Sequence, residues 1–62
     1  MSDGAYAQVQ ADFGRGNWMT VRTVPHDVQY IAHAIREVAN SNPEKRIRAI
    51  DDGGRLLDIY QP

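Results

Sequence analysis

Apolar and polar residues alternate strictly from Ala5 to Phe13: Ala5, Ala7, Val9, Ala11 and Phe13 fall on one side and Tyr6, Gln8, Gln10 and Asp12 on the other. A period of two marks a half-buried strand. The alanines weaken that signal because Ala has poor strand propensity, so residues 5–13 read as a strand or, failing that, a mobile arm, with residues 1–4 as a disordered tip. Gly14-Arg15-Gly16-Asn17 forms a loop, and residues 18–24, rich in Val and Thr, form a second strand. Opposing Phe13 to Met19 pairs Ala11 with Val21 and Val9 with Thr23. Trp18, Thr20, Arg22 and Val24 then point to the other face.

Pro25 changes the period. Its fixed φ suits a helix start, and Thr23 or Asp27 is placed to cap one. Residues 26–40 carry apolar side chains at Val28, Ile31, Ala32, Ile35, Val38 and Ala39, which at about 100° per residue form one stripe. Asn40-Ser41-Asn42-Pro43 supplies the stop.

The closing segment, residues 46–51 and 55–60, is a hairpin. With Asp52-Gly53-Gly54 as a three-residue loop, Gly54 takes the left-handed position. Asp51 then opposes Arg55, Ile50 opposes Leu56, Ala49 opposes Leu57, Arg48 opposes Asp58, Ile47 opposes Ile59 and Arg46 opposes Tyr60. That register sends Ile47, Ala49, Leu57 and Ile59 to one face. A two-residue Asp52-Gly53 turn would place Arg48 and Arg55 among them, so the pattern favours the longer loop.

The fold class that follows is α+β: a small antiparallel sheet in the order ββαββ, or βαββ without the first strand, with one amphipathic helix on one face. The two hairpins are expected side by side; nothing in the sequence sets the strand order.

Sixty-two residues make at most one small domain, and the absence of cysteine removes disulfides and thiolate metal sites. Such a chain needs either well-idealised packing or burial of further surface in an oligomer or complex. Seven basic and eight acidic residues give a net charge of −1, too balanced for binding driven mainly by phosphate attraction. No apolar run approaches the ~20 residues of a membrane span. The first ten residues lack the charged and apolar regions of a signal peptide, so a cytoplasmic location is expected, with no membrane association.

Two surfaces stand out. The sheet face away from the helix is expected to carry Trp18, Arg22, Val24, Arg46, Arg48, Ile50, Leu56 and Tyr60, with Tyr6, Gln8 and Gln10 if the first strand forms. Trp, Tyr and Arg are enriched in binding hot spots. Partner-binding residues are therefore Trp18, Arg22, Arg46, Arg48, Ile50, Leu56 and Tyr60. The competing reading turns Trp18 inward as the core's largest anchor and leaves a mixed, solvated face. The other surface is the outer stripe of the helix, His26, Tyr30, His33 and Glu37. His26 and His33 lie about 10 Å apart along the axis, too far for one ion, so a solvated face with a His33–Glu37 pair is the plainer reading. The histidines would make an interface there sensitive to pH between about 5 and 8.

Catalysis is not expected. The two serines, Ser2 and Ser41, sit in a tail and a helix stop, and the adjacent Asp51 and Asp52 belong to a turn. No cofactor or metal is implied. The expected function is a non-enzymatic protein-interaction or self-assembly module, a homodimer or a small regulator or inhibitor of a larger protein. The alternative is single-stranded nucleic-acid binding on the same aromatic and arginine face.

Overall fold

The computed structural model describes residues 5–62. The disordered tip expected at residues 1–4 lies outside the described residues. Strands β1 (Tyr6–Asp12) and β2 (Trp18–Pro25) are followed by helix α1 (Val28–Ser41) and by strands β3 (Ile47–Ile50) and β4 (Leu56–Tyr60). The sheet is wholly antiparallel in the order β2-β1-β3-β4, so the two hairpins stand side by side and β1 and β3 are the central strands.

β1 is central despite its alanines. Ala7, Val9 and Ala11 are fully buried, because the helix lies over the middle of the sheet and small side chains let it sit close. Tertiary packing overrides a weak local preference here. The rest of the core is Ile31, Ala34, Ile35 and Val38 from α1 and Ile47 and Ala49 from β3.

The helix starts two residues later than the expected range 26–40, at the first residue of its apolar pattern, Val28. Asp27 is the N-cap, extended in backbone, with its carboxylate accepting from the Gln29 N–H at 2.9 Å. Thr23 belongs to β2 and has no capping role. Asn42 ends the helix: its backbone N–H and its side-chain amide both donate to the Val38 carbonyl, each at 2.9 Å. The buried stripe is also rotated from the expected one. Ala34 is buried, while Ala32 is exposed and Val28 is 81% exposed. The cause is placement: α1 packs on β1, β2 and β3 and barely touches β4, so its β4-facing flank is left uncovered.

The β3–β4 turn forms as the Gly-Gly pattern requires. The Gly54 N–H donates to the Asp51 carbonyl at 2.9 Å, the Asp51 N–H to the Arg55 carbonyl at 3.0 Å, and Gly54 has φ 87°. Asp51 also accepts from the Gly53 and Arg55 N–H groups, which hold its carboxyl below the usual range, Arg55 most strongly. A Cβ at Gly54 would meet nothing, so the cost of Gly54→Ala is conformational. It should be about 1–2 kcal/mol. Gly53→Ala, at an ordinary φ, should cost clearly less. Paired thermal melts check this, and equal loss in the two variants would overturn the turn assignment.

Both outer strands carry a bulge that the alternation does not reveal. In β2, Val9 pairs with Arg22 but Gln10 pairs with Thr20, leaving Val21 as the extra residue. In β4, Ile50 pairs with Leu56 but Ala49 pairs with Asp58, leaving Leu57 extra. A bulge reverses the facing of everything beyond it. The expected pairs Arg48–Asp58, Ile47–Ile59 and Arg46–Tyr60 are replaced by Ala49–Asp58, Arg48–Ile59 and Ile47–Tyr60. The first hairpin is also offset from expectation: Ala11 meets Met19 rather than Val21.

Candidate functional site

The sheet face away from the helix is built on a chain of hydrogen bonds across three strands. Gln10, only 9% exposed at the centre of β1, accepts from Arg48 Nε at 2.8 Å and donates to Thr20 Oγ1 at 3.0 Å. Thr20 in turn donates to Gln8 Oε1 at 3.1 Å. Donation passes from β3 to β1 to β2 and returns from Thr20 to β1 at Gln8. Among the described residues no buried side-chain polar atom lacks a partner. A fully satisfied network of this kind holds its members in fixed positions.

Trp18 stands on this face, opposite Asp12, and does not turn into the core. Its ring is half-buried over two guanidinium groups, with Arg48 Cζ 4.3 Å and Arg46 Cζ 5.2 Å from the ring centroid. Arg46 is held from the other side by Asp12, whose Oδ2 accepts from Nε at 3.2 Å and also from Nη2. Asp12 Oδ1 accepts from the Gly14 and Gly16 N–H groups at 2.9 and 3.2 Å. The Arg46 bond, then the Gly14 N–H, hold the Asp12 carboxyl below its usual range, so it is an anion throughout the neutral range. One carboxylate therefore ties the β1–β2 loop to the start of β3.

Beside this polar strip lies an apolar one. Ile50 and Leu56 face each other across β3 and β4, and Ile59 sits beside Arg48. Leu56 is 53% exposed and Ile59 41%. Among the described residues no layer covers them.

Of the residues expected here, Trp18, Arg46, Arg48, Ile50 and Leu56 share the face. Arg22 and Tyr60 do not: each lies beyond a bulge and points to the helix side. Arg22 bonds Glu37 of α1, and Tyr60 pairs with Ile47 and borders α1 near Ala32 and Ile35. Val24 has crossed as well and packs against the core. Asp12, Thr20 and Ile59 are structural members of the face that the sequence alone did not single out. Alternation already puts Asp12 and Thr20 outside; recognising their roles requires knowing that β1 lies between β2 and β3.

The outer stripe of the helix is dispersed. His26 precedes the helix and lies outside it. Tyr30 is exposed, and His33 Nε2 lies 2.9 Å from Glu37 Oε2 in the expected i,i+4 pair. Glu37 is shared: Arg22 first, then His33, lower its carboxyl affinity for protons. Among the described residues no group of three or more His, Cys, Asp or Glu is placed to hold a metal ion, and no helix is long and apolar enough to cross a membrane.

Compared with known protein families, curated proteins and solved structures, the chain matches none.

Proposed function

We propose that this chain is a non-enzymatic protein-binding module whose contact surface is the sheet face opposite the helix. The supporting observation is that one face carries both a clamped tryptophan and an apolar strip, half-buried Ile50 with exposed Leu56 and Ile59. An antiparallel sheet can turn one face to water, but such a face is ordinarily polar. Apolar side chains gathered on it mark a contact surface. A fixed aromatic on the same face, with Arg48 between it and Ile59, adds a residue type enriched in hot spots, and its clamping means little is lost in ordering it.

Stacking of single-stranded nucleic acid on the same face draws less support. It asks for free guanidinium groups to reach phosphates. Arg46 is matched by Asp12, and Arg48 is occupied by Gln10 and Trp18.

Trp18 is the one tryptophan, so its fluorescence reports on this face alone. A photo-crosslinking side chain at Leu56 should capture one defined protein from the native source, and the same probe at Gln29 should not. Ile59→Lys in the Leu56 probe protein should abolish the adduct while far-UV circular dichroism stays unchanged. Capture from both positions alike, or from neither, would overturn the reading. So would Trp18 quenching by an oligonucleotide at low salt that fades as salt rises.

A further inference from the structure

We infer that the trough between α1 and β4 is the seam of a two-fold homodimer, in which a second copy lies antiparallel on the first. It lies on the helix side of the sheet and stands independently of the contact face proposed above.

The apolar stripe of α1 is wider than the sheet beneath it. Ile31, Ala34, Ile35 and Val38 are spent on the core; Val28 and Ala32 remain open on the β4 flank, and Leu57 and Tyr60 form the opposite wall. Two depressions run end to end along this line and share Ala32, so they form one trough with Ala32 at its middle. The ends carry opposite charges. Asp58 borders the depression near the helix N-terminus and Arg36 the one near its C-terminus. Neither makes a salt bridge among the described residues.

A surface with a small residue at its centre, apolar walls and one charge of each sign at its ends is complementary to itself when rotated by a half turn. A two-fold contact brings the same patch from both subunits together. With the axis at Ala32, the Asp58 end of one copy meets the Arg36 end of the other, and the pair forms twice. The alanine at the axis lets the two helices approach closely. Size permits it as well: a stable interface takes about 800 Å² from each partner, roughly a fifth of this chain's 4277 Å², and its long side measures 38 by 20 Å.

The competing mode, pairing of β4 edges into one continuous sheet, is obstructed by β4 itself. The bulge at Leu57 breaks its regularity, and the Asp58 carboxylate takes the Ile59 N–H at 2.8 Å. That amide is withdrawn from any incoming strand, and the bulge and the charged side chain on the edge are both features that blunt natural sheet edges. Asp58 Oδ2 remains for the partner's Arg36.

Sedimentation equilibrium of the intact chain from micromolar to millimolar concentration tests this directly. The expected species is a dimer, twice the 7.0 kDa chain. Ala32→Lys and Arg36→Glu should each raise the dimer Kd by about tenfold or more, and Asp58→Arg should do the same. The double variant Arg36→Glu/Asp58→Arg should recover most of that loss, since the charges are exchanged and not removed. Leu56→Lys, on the opposite face, should leave the Kd unchanged. Three results would each overturn the inference: a monomer throughout, a dimer lost on Leu56→Lys but indifferent to Ala32→Lys, or no recovery in the folded double variant. Circular dichroism of each variant separates lost association from lost folding.

Discussion

Replacing Ile47 with alanine should leave a large fraction of the chain unfolded at room temperature. Ile47 is fully buried on a central strand and is among the largest side chains sealed completely in the core. Truncating a buried isoleucine removes its transfer free energy and leaves a cavity that the surroundings only partly fill, at a cost of about 2–5 kcal/mol. A domain of this size holds only about 3–5 kcal/mol in all. Four of its nine core residues are alanines, so few neighbours have the reach to close the gap. Ile59→Ala supplies the comparison. It removes the same atoms from a side chain 41% exposed on the outer face and should cost under about 1 kcal/mol. Urea unfolding of both at one protein concentration decides the matter, because a dimer would make the midpoint depend on concentration. Equal midpoints would mean that the packing described for β3 is wrong.

That core was largely legible from the sequence, and the reason is local. The period of two in residues 5–13 places Ala7, Val9 and Ala11 inside without reference to any other strand. The Gly54 turn follows from two glycines and the asparate pair before them, and it correctly opposes Asp51 to Arg55. Facing becomes unreadable where a bulge intervenes, since one inserted residue leaves composition untouched yet exchanges inside for outside. β4 carried a sign of its bulge. Leu56-Leu57 and Ile59-Tyr60 are two adjacent apolar pairs around Asp58, which strict alternation cannot satisfy. With Leu57 extra, Leu57 and Tyr60 go to the helix side and Leu56 and Ile59 to the other. Residues 18–24 hold no comparable sign, so the crossing of Arg22 could be read only from its bond to Glu37.

The outer face shows the same division. Trp18, Arg46 and Arg48 were recognisable as a group because they precede or escape the bulges, whereas Arg22 does not. What fixes them was not: the Gln10–Arg48 and Asp12–Arg46 bonds depend on β1 pairing with β3. Those residues are 34 and 38 positions apart, and strand order sets their meeting. Arg46 and Arg48, expected from the sequence as partner-binding residues, are in the fold the bed on which the indole ring lies.

Enlarging Ala34 to leucine should destabilise the domain by about 1–3 kcal/mol, while the same change at Ala32 should leave stability nearly unaltered. The two alanines lie two positions apart on one helix, and periodicity alone ranks them the other way, with Ala32 in the apolar stripe and Ala34 outside it. The structure reverses that order: Ala34 is 1% exposed and Ala32 is open to the trough. The reversal comes from where α1 lies. Docked over β1, β2 and β3, it turns the Ala34 side down towards the sheet and lifts the Ala32 side towards the uncovered β4. Leucine and alanine are both good helix formers, so propensity does not separate the two variants, and only packing against the sheet can. Thermal unfolding in dilute solution, where association through the trough plays no part, should show a clearly lower midpoint for Ala34→Leu alone. A shift of about 4–8 °C per kcal/mol is expected for a domain of this length. If Ala32→Leu were the more harmful change, the helix would have to be rotated back to the position its apolar stripe suggests, and the trough on its flank would close with it.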